Sequence, residues 1–388
     1  GKPIDGHAPG LRGAAVAQYI AAGISTDHEC FTREEAEEKL SLGMKILIRE
    51  GSAAKNFEAL WPLVASHPRQ VMFCSDDKHP DGLLLGHINQ ICARAVAKGL
   101  PLFAVLRAAT LNPMEHYQLP VGRLRVGDPA DFIVVEDLEN FSVLASFKNG
   151  RSLAEKGKSL LRAVEVVPVN RFQSNILSPA DLVLSLADYP AKSGQIPVME
   201  ALDGQLITPA LWCNATTQKN ASGQEILVSN THTDVLKIVV VNRYRKAPVA
   251  KAFVKNFGLQ AGAIASSVAH DSHNIVAVGV SDAAICAAVN AVMAEKGGLS
   301  CVDEKGHVTV LGLPVAGLMS AGEGYAVADQ YTAMDAAAKA LGTPLAAPFM
   351  TLSFMALLVI PHLKLSDLGL FDGDQFCFLK AQEPTEMP

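Results

Sequence analysis

The chain has 388 residues, of which 49% are hydrophobic and 19% charged. It is too long for one ordinary domain and apolar enough for two or three filled cores, so we expect more than one domain. A formal net charge of −6 and the absence of a long Lys/Arg run argue against nucleic acid and membrane partners. We therefore expect a small-molecule substrate and a homo-oligomer.

The cysteines predict the compartment. Seven cysteines are scattered along the chain without a CxxC pair, which is typical of reduced thiols in the cytoplasm. No unbroken apolar run approaches the roughly 18 residues of a membrane helix, and no signal peptide precedes the first motif. The chain begins with Gly1 in place of Met, and we expect a truncated start.

Strand and helix patterns alternate over residues 1–118. Apolar runs predict strands near residues 3–7, 24–28, 44–49 and 70–75. Helical spacing, caps and terminal glycines predict helices at residues 11–23, 32–43, 54–67 and 82–99. Such alternation with short connections predicts a parallel sheet, either open and doubly wound or part of a (β/α)8 barrel.

Polar residues follow each of these strands. The groups, in chain order, are His7; Asp27, His28 and Glu29; Arg49, Glu50 and Ser52; and Asp76, Asp77 and His79. In a barrel, the carboxyl ends of the strands converge on one face, where active sites of this fold are built. Two imidazoles and a carboxylate there would suit zinc, iron or manganese, whose bound water can act as a nucleophile at neutral pH. A hydrogen-bonded loop role is the alternative for each histidine taken alone.

Two further regions follow. Residues 119–165 are rich in β patterns, with a turn at Asn149–Gly150, and predict a small β module. Residues 166–388 combine predicted strands at 235–244, 275–280 and 307–315 with predicted helices at 282–298 and 325–342. This pattern predicts an α/β or α+β domain.

The stretch "AHDSHN" has the highest density of potentially functional side chains in the third region. It contains His270, Asp271, His273 and Asn274. His270 and His273 are three residues apart, a spacing that could place both on one helical face. We expect them to bind substrate or close the site, with no role as metal ligands, and a purely structural role is the alternative.

Several long motifs carry a family resemblance. "DGHAPGLRG…YIAAGISTDHE", "MKILIREGSAAKN", "FCSDDKHPDGLLLGHIN" and "GRLRVGDPADFIVVEDL" resemble the adenine deaminases of the amidohydrolase superfamily, in the same order. "SSVAHDSHNIVAVG", "LPVAGLMS" and "PFMTLSFMALLVIPHLKLSDLGLFD" resemble the C-terminal domain of that family. The resemblance implies an α/β fold in three parts: strands 5–8 of a (β/α)8 barrel at residues 1–118, a β-sandwich segment at 119–165 and the family's C-terminal domain at 166–388.

The resemblance also implies a metal site. The superfamily places an HxH pair after the first barrel strand, a bridging acidic or carbamylated residue after the fourth, single histidines after the fifth and sixth, and an aspartate after the eighth. His7, His28 and Asp76 match the last three positions, and the chain contains no HxH pair. The implied cofactor is a dinuclear manganese or iron centre, with zinc as the other option. Because three ligands would lie outside these residues, residues 1–388 alone are expected to bind metal weakly and to lack turnover.

The implied reaction is hydrolytic deamination of adenine to hypoxanthine and ammonia by a metal-activated hydroxide. Asp76 is our choice for the proton shuttle, and Asp77 is its competitor because a one-residue shift in register would exchange them. The residues expected to contact substrate or to support the ligands are Asp27, Glu29, Ser52, Asp77, His79, His270, Asp271 and His273. Two alternatives stay open: an amidohydrolase for another nucleobase or a cyclic amide, and a non-catalytic fragment.

Overall fold

The computed structural model describes residues 1–52, 54–162, 164–173 and 175–380. The chain forms two compact units, Gly1–Val164 and Glu165–Pro388, and each is described by itself. The three-part division predicted above stays a prediction, and the last eight residues of its third part lie outside the described residues. Among the residues described, no helix combines the length and apolar character needed to cross a membrane.

The first unit contains two sheets and eight helices within its described residues. The strands are β1 (Thr26–Asp27), β2 (Lys45–Arg49), β3 (Val71–Cys74), β4 (Phe132–Val135), β5 (Val143–Lys148), β6 (Arg151–Glu155) and β7 (Lys158–Ser159). The helices are α1 (Gly13–Ala21), α2 (Arg33–Ser41), α3 (Phe57–Leu60), α4 (Leu63–Ser66), α5 (Pro80–Leu85), α6 (Ile88–Ala97), α7 (Leu102–Ala109) and α8 (Leu111–Tyr117).

The sheet of β1, β2 and β3 is parallel, in chain order. Thr26 pairs with Lys45, and Ile46 pairs with Val71. A parallel bridge from Ile4 to Ile24 extends this order to the start of the chain. Apolar side chains on β2 and β3 are buried against the surrounding helices, as expected for a parallel sheet. All four predicted strand segments therefore run in the same direction.

Two predicted helices are each divided. The helix predicted at residues 54–67 becomes α3 and α4, because Pro62 lacks the N–H that would continue the hydrogen-bond ladder. The helix predicted at residues 82–99 becomes α5 and α6, separated by Gly86 at φ 143°, a conformation that no helix contains. By contrast, α2 begins at the predicted cap, where Thr32 Oγ1 accepts a hydrogen bond from Glu35 N.

The antiparallel sheet of the first unit runs in the order β4-β5-β6-β7. The predicted turn joins β5 to β6, with Asn149 at φ 50° and Gly150 at φ 74°. Two consecutive residues with positive φ are typical of the tight turns that match strand twist. On the neighbouring pair, the rings of Phe132 and Phe147 stack with centroids 4.6 Å apart. The described part of residues 119–165 thus includes a four-stranded antiparallel sheet.

The second unit is built on a large mixed sheet. Its strands are β8 (Gln195–Glu200), β9 (Ala210–Asn214), β10 (Thr217–Lys219), β11 (Glu225–Leu227), β12 (Val235–Val241), β13 (Ala250–Lys255), β14 (Ala263–Ser266), β15 (Ile275–Gly279), β16 (Gly298–Val302), β17 (Val308–Gly312), β18 (Leu363–Ser366), β19 (Gly369–Asp372) and β20 (Cys377–Phe378). Its helices are α9 (Asp282–Ala294), α10 (Gly324–Ala340) and α11 (Pro348–Phe354), with 3-10 turns at Pro179–Leu182 and Leu186–Asp188.

Eight strands form the main sheet in the order β17-β16-β14-β15-β12-β13-β8-β9. Neighbours are antiparallel except β13 and β8. Every residue of β12 is buried, including Lys237, whose Nζ lies 2.6 Å from Asp282 Oδ1. The elements predicted in this region are present, and their ends differ from the predicted ones by a few residues. The chain is of the α/β class. The barrel arrangement of the first unit stays a prediction.

Candidate functional site

The candidate site lies at the carboxyl edge of the parallel sheet. His7 follows the Ile4 bridge, His28 follows β1, and Asp76 follows β3. The rings of His7 and His28 meet edge to face, with centroids 4.4 Å apart. His28 Nε2 lies 3.1 Å from Asp76 Oδ2. The structure thus brings together the three residues predicted as metal ligands, from three separate strand ends.

Glu29 joins this group more closely than expected. Its Oε1 lies 3.5 Å from His7 Nδ1. One potential ligand atom from each of His7, His28 and Glu29 lies within 4.8 Å of the others. Glu29 Oε2 is buried and has no hydrogen-bond partner among the described residues, and the buried His28 Nε2 contacts Asp76 Oδ2. Buried polar atoms are normally satisfied, so an open carboxylate oxygen on Glu29, close to the two imidazoles, fits a divalent cation.

The charges of the site shift two pKa values. A hydrogen bond to Glu29 raises the pKa of His7 and outweighs the opposing effect of partial burial. Burial by itself raises the pKa of Asp76, but the adjacent His28 imidazole and Arg49 guanidinium reverse this effect and place that pKa well below its usual range. Asp76 is therefore a carboxylate at neutral pH.

Arg49 connects the acidic residues of the site. The guanidinium is almost fully buried, with Nη1 3.0 Å from Asp76 Oδ2 and 3.4 Å from Glu29 Oε1. Nη2 lies 3.9 Å from Asp77 Oδ2. Sequence reasoning noted Arg49 at a strand end but gave it no role. The sequence feature that could have indicated a role was the position of Arg49 at the end of the strand segment "KILIR". An arginine buried at such a position almost always has a carboxylate partner.

Two polar side chains hold the histidine-bearing segments. Asn56 Nδ2 donates to His28 O at 3.3 Å and to Cys30 O at 3.1 Å, while its Oδ1 accepts from Arg49 N at 2.7 Å. Tyr19 Oη accepts from His7 N at 3.0 Å and donates to His7 O at 3.3 Å. The backbone on which each imidazole depends is therefore fixed by a neighbouring side chain.

The remaining predicted residues of the first unit occupy different surroundings. Asp27 has no exposed surface to offer a substrate, and its Oδ2 lies 2.7 Å from Lys39 Nζ. Ser52 N donates to Asp77 O at 2.8 Å, and Ser52 Oγ accepts from His79 N at 2.8 Å. These two bonds join the segment after β2 to the segment after β3, so Ser52, Asp77 and His79 lie together beside Asp76.

The "AHDSHN" stretch belongs to the second unit. It forms a turn between β14 and β15, so the prediction of a shared helical face is wrong. His270 stacks on Phe354 with centroids 5.0 Å apart, and His273 O accepts from Arg243 Nε at 2.5 Å. Burial, His270 and Arg243 lower the pKa of His273. Neither group of three or more potential metal ligands among the described residues includes this turn, and its predicted substrate role stays a prediction.

Comparison with known proteins identifies the family. The profile described as "Adenine deaminase C-terminal domain" matches residues 207–377, and the "Amidohydrolase family" profile matches residues 1–153. The chain is 54% identical over 383 residues to an adenine deaminase of Sulfurovum sp. strain NBC37-1, covering 98% of this chain and 68% of that protein. It is 52% identical over 380 residues to an adenine deaminase of Salinibacter ruber, covering 97% of this chain and 68% of that protein.

A similar relation holds for an archaeal protein. The adenine deaminase of Methanosarcina mazei is 50% identical over 387 residues, covering 98% of this chain and 69% of that protein. Among solved structures, a beta-aspartyl dipeptidase from Fervidobacterium islandicum AW-1 matches with a TM-score of 0.34 and 21% identity, over 42% of this chain and 48% of that one. The sequence relations decide the assignment: the chain belongs to the adenine deaminase family of amidohydrolases.

Proposed function

We propose that the protein catalyses the hydrolytic deamination of adenine to hypoxanthine and ammonia. The observation that carries this proposal is the convergence of His7, His28 and Asp76 at one sheet edge, in a chain about half identical to proteins named adenine deaminase. Two imidazoles and a carboxylate suit a hydrolytic metal site. An enzyme for another base or a cyclic amide would share the same ligands, so substrate assays must separate these options.

Amidohydrolases generally use a divalent metal. We propose that His7, His28 and Asp76 hold it, in a dinuclear manganese or iron centre with zinc as the alternative. The open atom Glu29 Oε2 and the closeness of His7, His28 and Glu29 support a cation at this position. When bound, the metal supplies a water of lowered pKa that is nucleophilic at neutral pH.

The proposed fold context is strands 5–8 of a (β/α)8 barrel at residues 1–118. Its support is the parallel strand order with polar residues after each strand. Residues 1–388 contain no HxH pair. We therefore propose that further ligands from outside these residues complete the metal centre.

Asp76 is the proposed proton shuttle. Its Oδ2 accepts a proton from the attacking water as the water oxygen bonds to C6 of adenine, and then gives that proton to the exocyclic amine as the C6–N bond breaks. The C6–N1 π electrons move to N1 during the attack, N1 takes up the second proton of the water, and loss of ammonia leaves the C6=O group of hypoxanthine. Arg49 Nη1, 3.0 Å from Asp76 Oδ2, holds the carboxylate in place. Glu29 and His79, which lie near these groups, are proposed to support the ligands or contact the base.

Ammonia release tests the proposal. The metal-loaded protein, with the complementing segment of a relative supplied, is assayed with adenine, adenosine, guanine and cytosine. We expect turnover of adenine and far slower turnover of adenosine, because a pocket shaped for the free base leaves no space for ribose. A clear preference for another base or a cyclic amide would contradict the proposal. Two bound metals with adenine turnover by residues 1–388 alone would contradict the need for outside ligands.

A further inference from the structure

A second group of potential ligands lies behind the candidate site. One donor atom from each of Asp27, Cys30 and Glu35 lies within 4.8 Å of the others, a spacing that could hold a metal ion. The ammonium of Lys39 lies among them, 2.7 Å from Asp27 Oδ2, 2.6 Å from Glu35 Oε1 and 3.7 Å from Cys30 Sγ. The Lys39 and Asp27 side chains have no exposed surface. The ammonium of Lys39 therefore occupies the position that a metal ion would take in this cluster.

The hydrogen bonds of Lys39 are complete. An ammonium has three N–H donors, and Lys39 Nζ has three oxygen acceptors: Asp27 Oδ2, Glu35 Oε1 and Ala8 O, the last at 2.6 Å. Ala8 is the residue directly after His7, and Asp27 is the residue directly before His28. One buried ammonium thus contacts the immediate neighbours of both predicted histidine ligands.

The two carboxylates extend these connections. Asp27 Oδ1 accepts from Glu29 N at 2.9 Å and, more weakly, from Ala8 N at 3.4 Å. Glu35 Oε1 accepts from Gly10 N at 2.8 Å, and its Oε2 accepts from Phe31 N at 3.2 Å. Each carboxylate therefore binds one backbone amide from the segment after His7 and one from the segment around His28.

The supporting element is a capped helix. Glu35 and Lys39 lie one turn apart on α2, so their side chains share a face. The N-terminus of α2 is fixed by the Thr32 cap. A buried ion pair is itself weak evidence for stability, because well-packed apolar residues often replace one without loss. The arrangement is better explained by what it connects, since its contacts converge on the two segments that carry the histidines.

We propose that Lys39 is a positioning residue that sets the separation of His7 and His28 by joining their flanking segments through Asp27 and Glu35. The proposal rests on the function proposed above, in which these two imidazoles hold the metal. Lys39 itself touches neither metal nor substrate. Without it, the two histidines would be carried by segments with fewer shared contacts.

The test replaces the charged cluster by a neutral one of similar shape. Lys39→Met alone would leave two buried carboxylates without a cation, a change expected to unfold the unit. The triple variant Asp27→Asn, Glu35→Gln, Lys39→Met removes all three charges together. A second variant, Asp27→Asn with Lys39→Met, keeps Glu35 and its two backbone donors. The matched control is Lys364→Met, which removes another fully buried lysine, one that lies in the second unit.

Metal affinity and the visible spectrum of the cobalt-substituted protein are the readouts. We expect the folded triple variant to bind Mn²⁺ with a dissociation constant about 10- to 100-fold higher, the range found when groups that orient metal ligands are lost. Its Co²⁺ bands should shift, because they report ligand geometry. Lys364→Met should leave both unchanged. A folded variant with parental affinity and spectrum would overturn the proposal, as would an equal loss in the Lys364→Met control.

Hydrogen exchange tests the positioning role of Lys39 independently of the proposed metal site. If the parent protein binds no metal, the proposed metal site fails, and the amides of Ala8, Gly10, Glu29 and Phe31 then decide the role of Lys39. Faster exchange of both segments together in the triple and double variants supports the positioning role, and unchanged exchange overturns it. Failure of both the triple and the double variant to fold would also overturn it, since the cluster would then serve the whole unit.

Discussion

His7 and His28 are twenty-one positions apart in sequence, yet their rings lie with centroids 4.4 Å apart at an interplanar angle of 78°. The edge of one ring therefore faces the plane of the other, and both rings border the buried Glu29 carboxylate. Adjacent parallel strands produce this closeness, because the residues after their carboxyl ends share one edge of the sheet.

A pair of substitutions tests whether Asp76 or Asp77 is the proton shuttle. Asp76 Oδ2 lies 3.1 Å from His28 Nε2 and 3.0 Å from Arg49 Nη1, whereas Asp77 Oδ2 reaches Arg49 only at 3.9 Å. We expect Asp76→Asn to lower kcat/KM for adenine by about 10²- to 10⁴-fold, the usual contribution of a proton-transferring group. Asp77→Asn should cost less than about tenfold. The reverse order would assign the shuttle to Asp77.

Removal of the metal is expected to abolish adenine turnover. Dialysis against a chelator should inactivate the protein assayed with the complementing segment of a relative, and added Mn²⁺ or Fe²⁺ should restore activity, because the proposed nucleophile depends on the cation. His28→Ala should prevent this restoration, since it removes a buried imidazole that is one of the proposed metal ligands. Metal content is measured by mass spectrometry before and after addition. Full activity of the metal-free protein would contradict the proposed chemistry.

Gly6 leaves no room for a side chain beside His7. A Cβ there would lie 2.6 Å from Ile24 Cγ2, 2.7 Å from Thr26 O and 2.7 Å from Tyr19 Oη. We expect Gly6→Ala to lower the free energy of unfolding of the first unit by about 1–3 kcal/mol, as overpacking does, and to weaken metal binding. Urea unfolding measures the first effect.

The matched control for Gly6 is Gly324, the first residue of α10. A Cβ at Gly324 meets nothing within 4 Å. Gly324→Ala should be neutral or stabilising by up to about 1 kcal/mol, because alanine loses less backbone freedom in a helix. Equal destabilisation by the two substitutions would show that the contacts around Gly6 do not limit the site.

We expect Lys364 to make the stability of the second unit depend on pH. It is fully buried and donates to Leu206 O at 2.8 Å and Phe354 O at 2.9 Å. Burial lowers its pKa to about 7. A neutral amine has two N–H donors, which these two carbonyls satisfy, whereas an ammonium would leave a third donor unpaired.

The sign of the effect follows from the two states. An unfolded lysine titrates near about 10.4, so between pH 7 and 10 the unfolded chain binds more protons than the folded one. The free energy of unfolding should therefore rise with pH over this window, by at most about 1.4 kcal/mol per pH unit, and level off below pH 7. Lys364→Met should flatten the rise in urea unfolding measured from pH 6.5 to 9.5. Parallel curves for parent and variant would exclude a neutral buried amine.

Local patterns predicted the elements better than the contacts between them. Alternating apolar runs and caps predicted β2, β3 and α2, and the Asn149–Gly150 pair predicted the β5–β6 turn, because each depends on nearby residues. The division of two predicted helices was not predicted, because Pro62 and Gly86 interrupt segments whose apolar periodicity is continuous. Periodicity alone does not register such interruptions.

The residues of the candidate site were also predictable only where local sequence patterns decide their positions. His7, His28 and Asp76 were predictable because polar residues after parallel strands converge on one edge. The roles of Arg49 and Lys39 depend on which carboxylates lie opposite them after folding. Lys39 in particular reads as one cation among several charges on "TREEAEEKLSLG", a segment that resembles an ordinary solvated helix. Only its burial against Ala8 and Asp27 distinguishes it.

The order β1-β2-β3, continued back to Ile4 by its bridge to Ile24, has a consequence for biosynthesis. Neighbours in this sheet are also neighbours along the chain, so each strand leaving the ribosome finds its partner already made. His7, His28 and Asp76 can then reach their common edge in the order of translation, through short loop closures of low entropic cost. We expect nascent chains arrested beyond α8 to protect the parallel strands from proteolysis before the second unit has been synthesised.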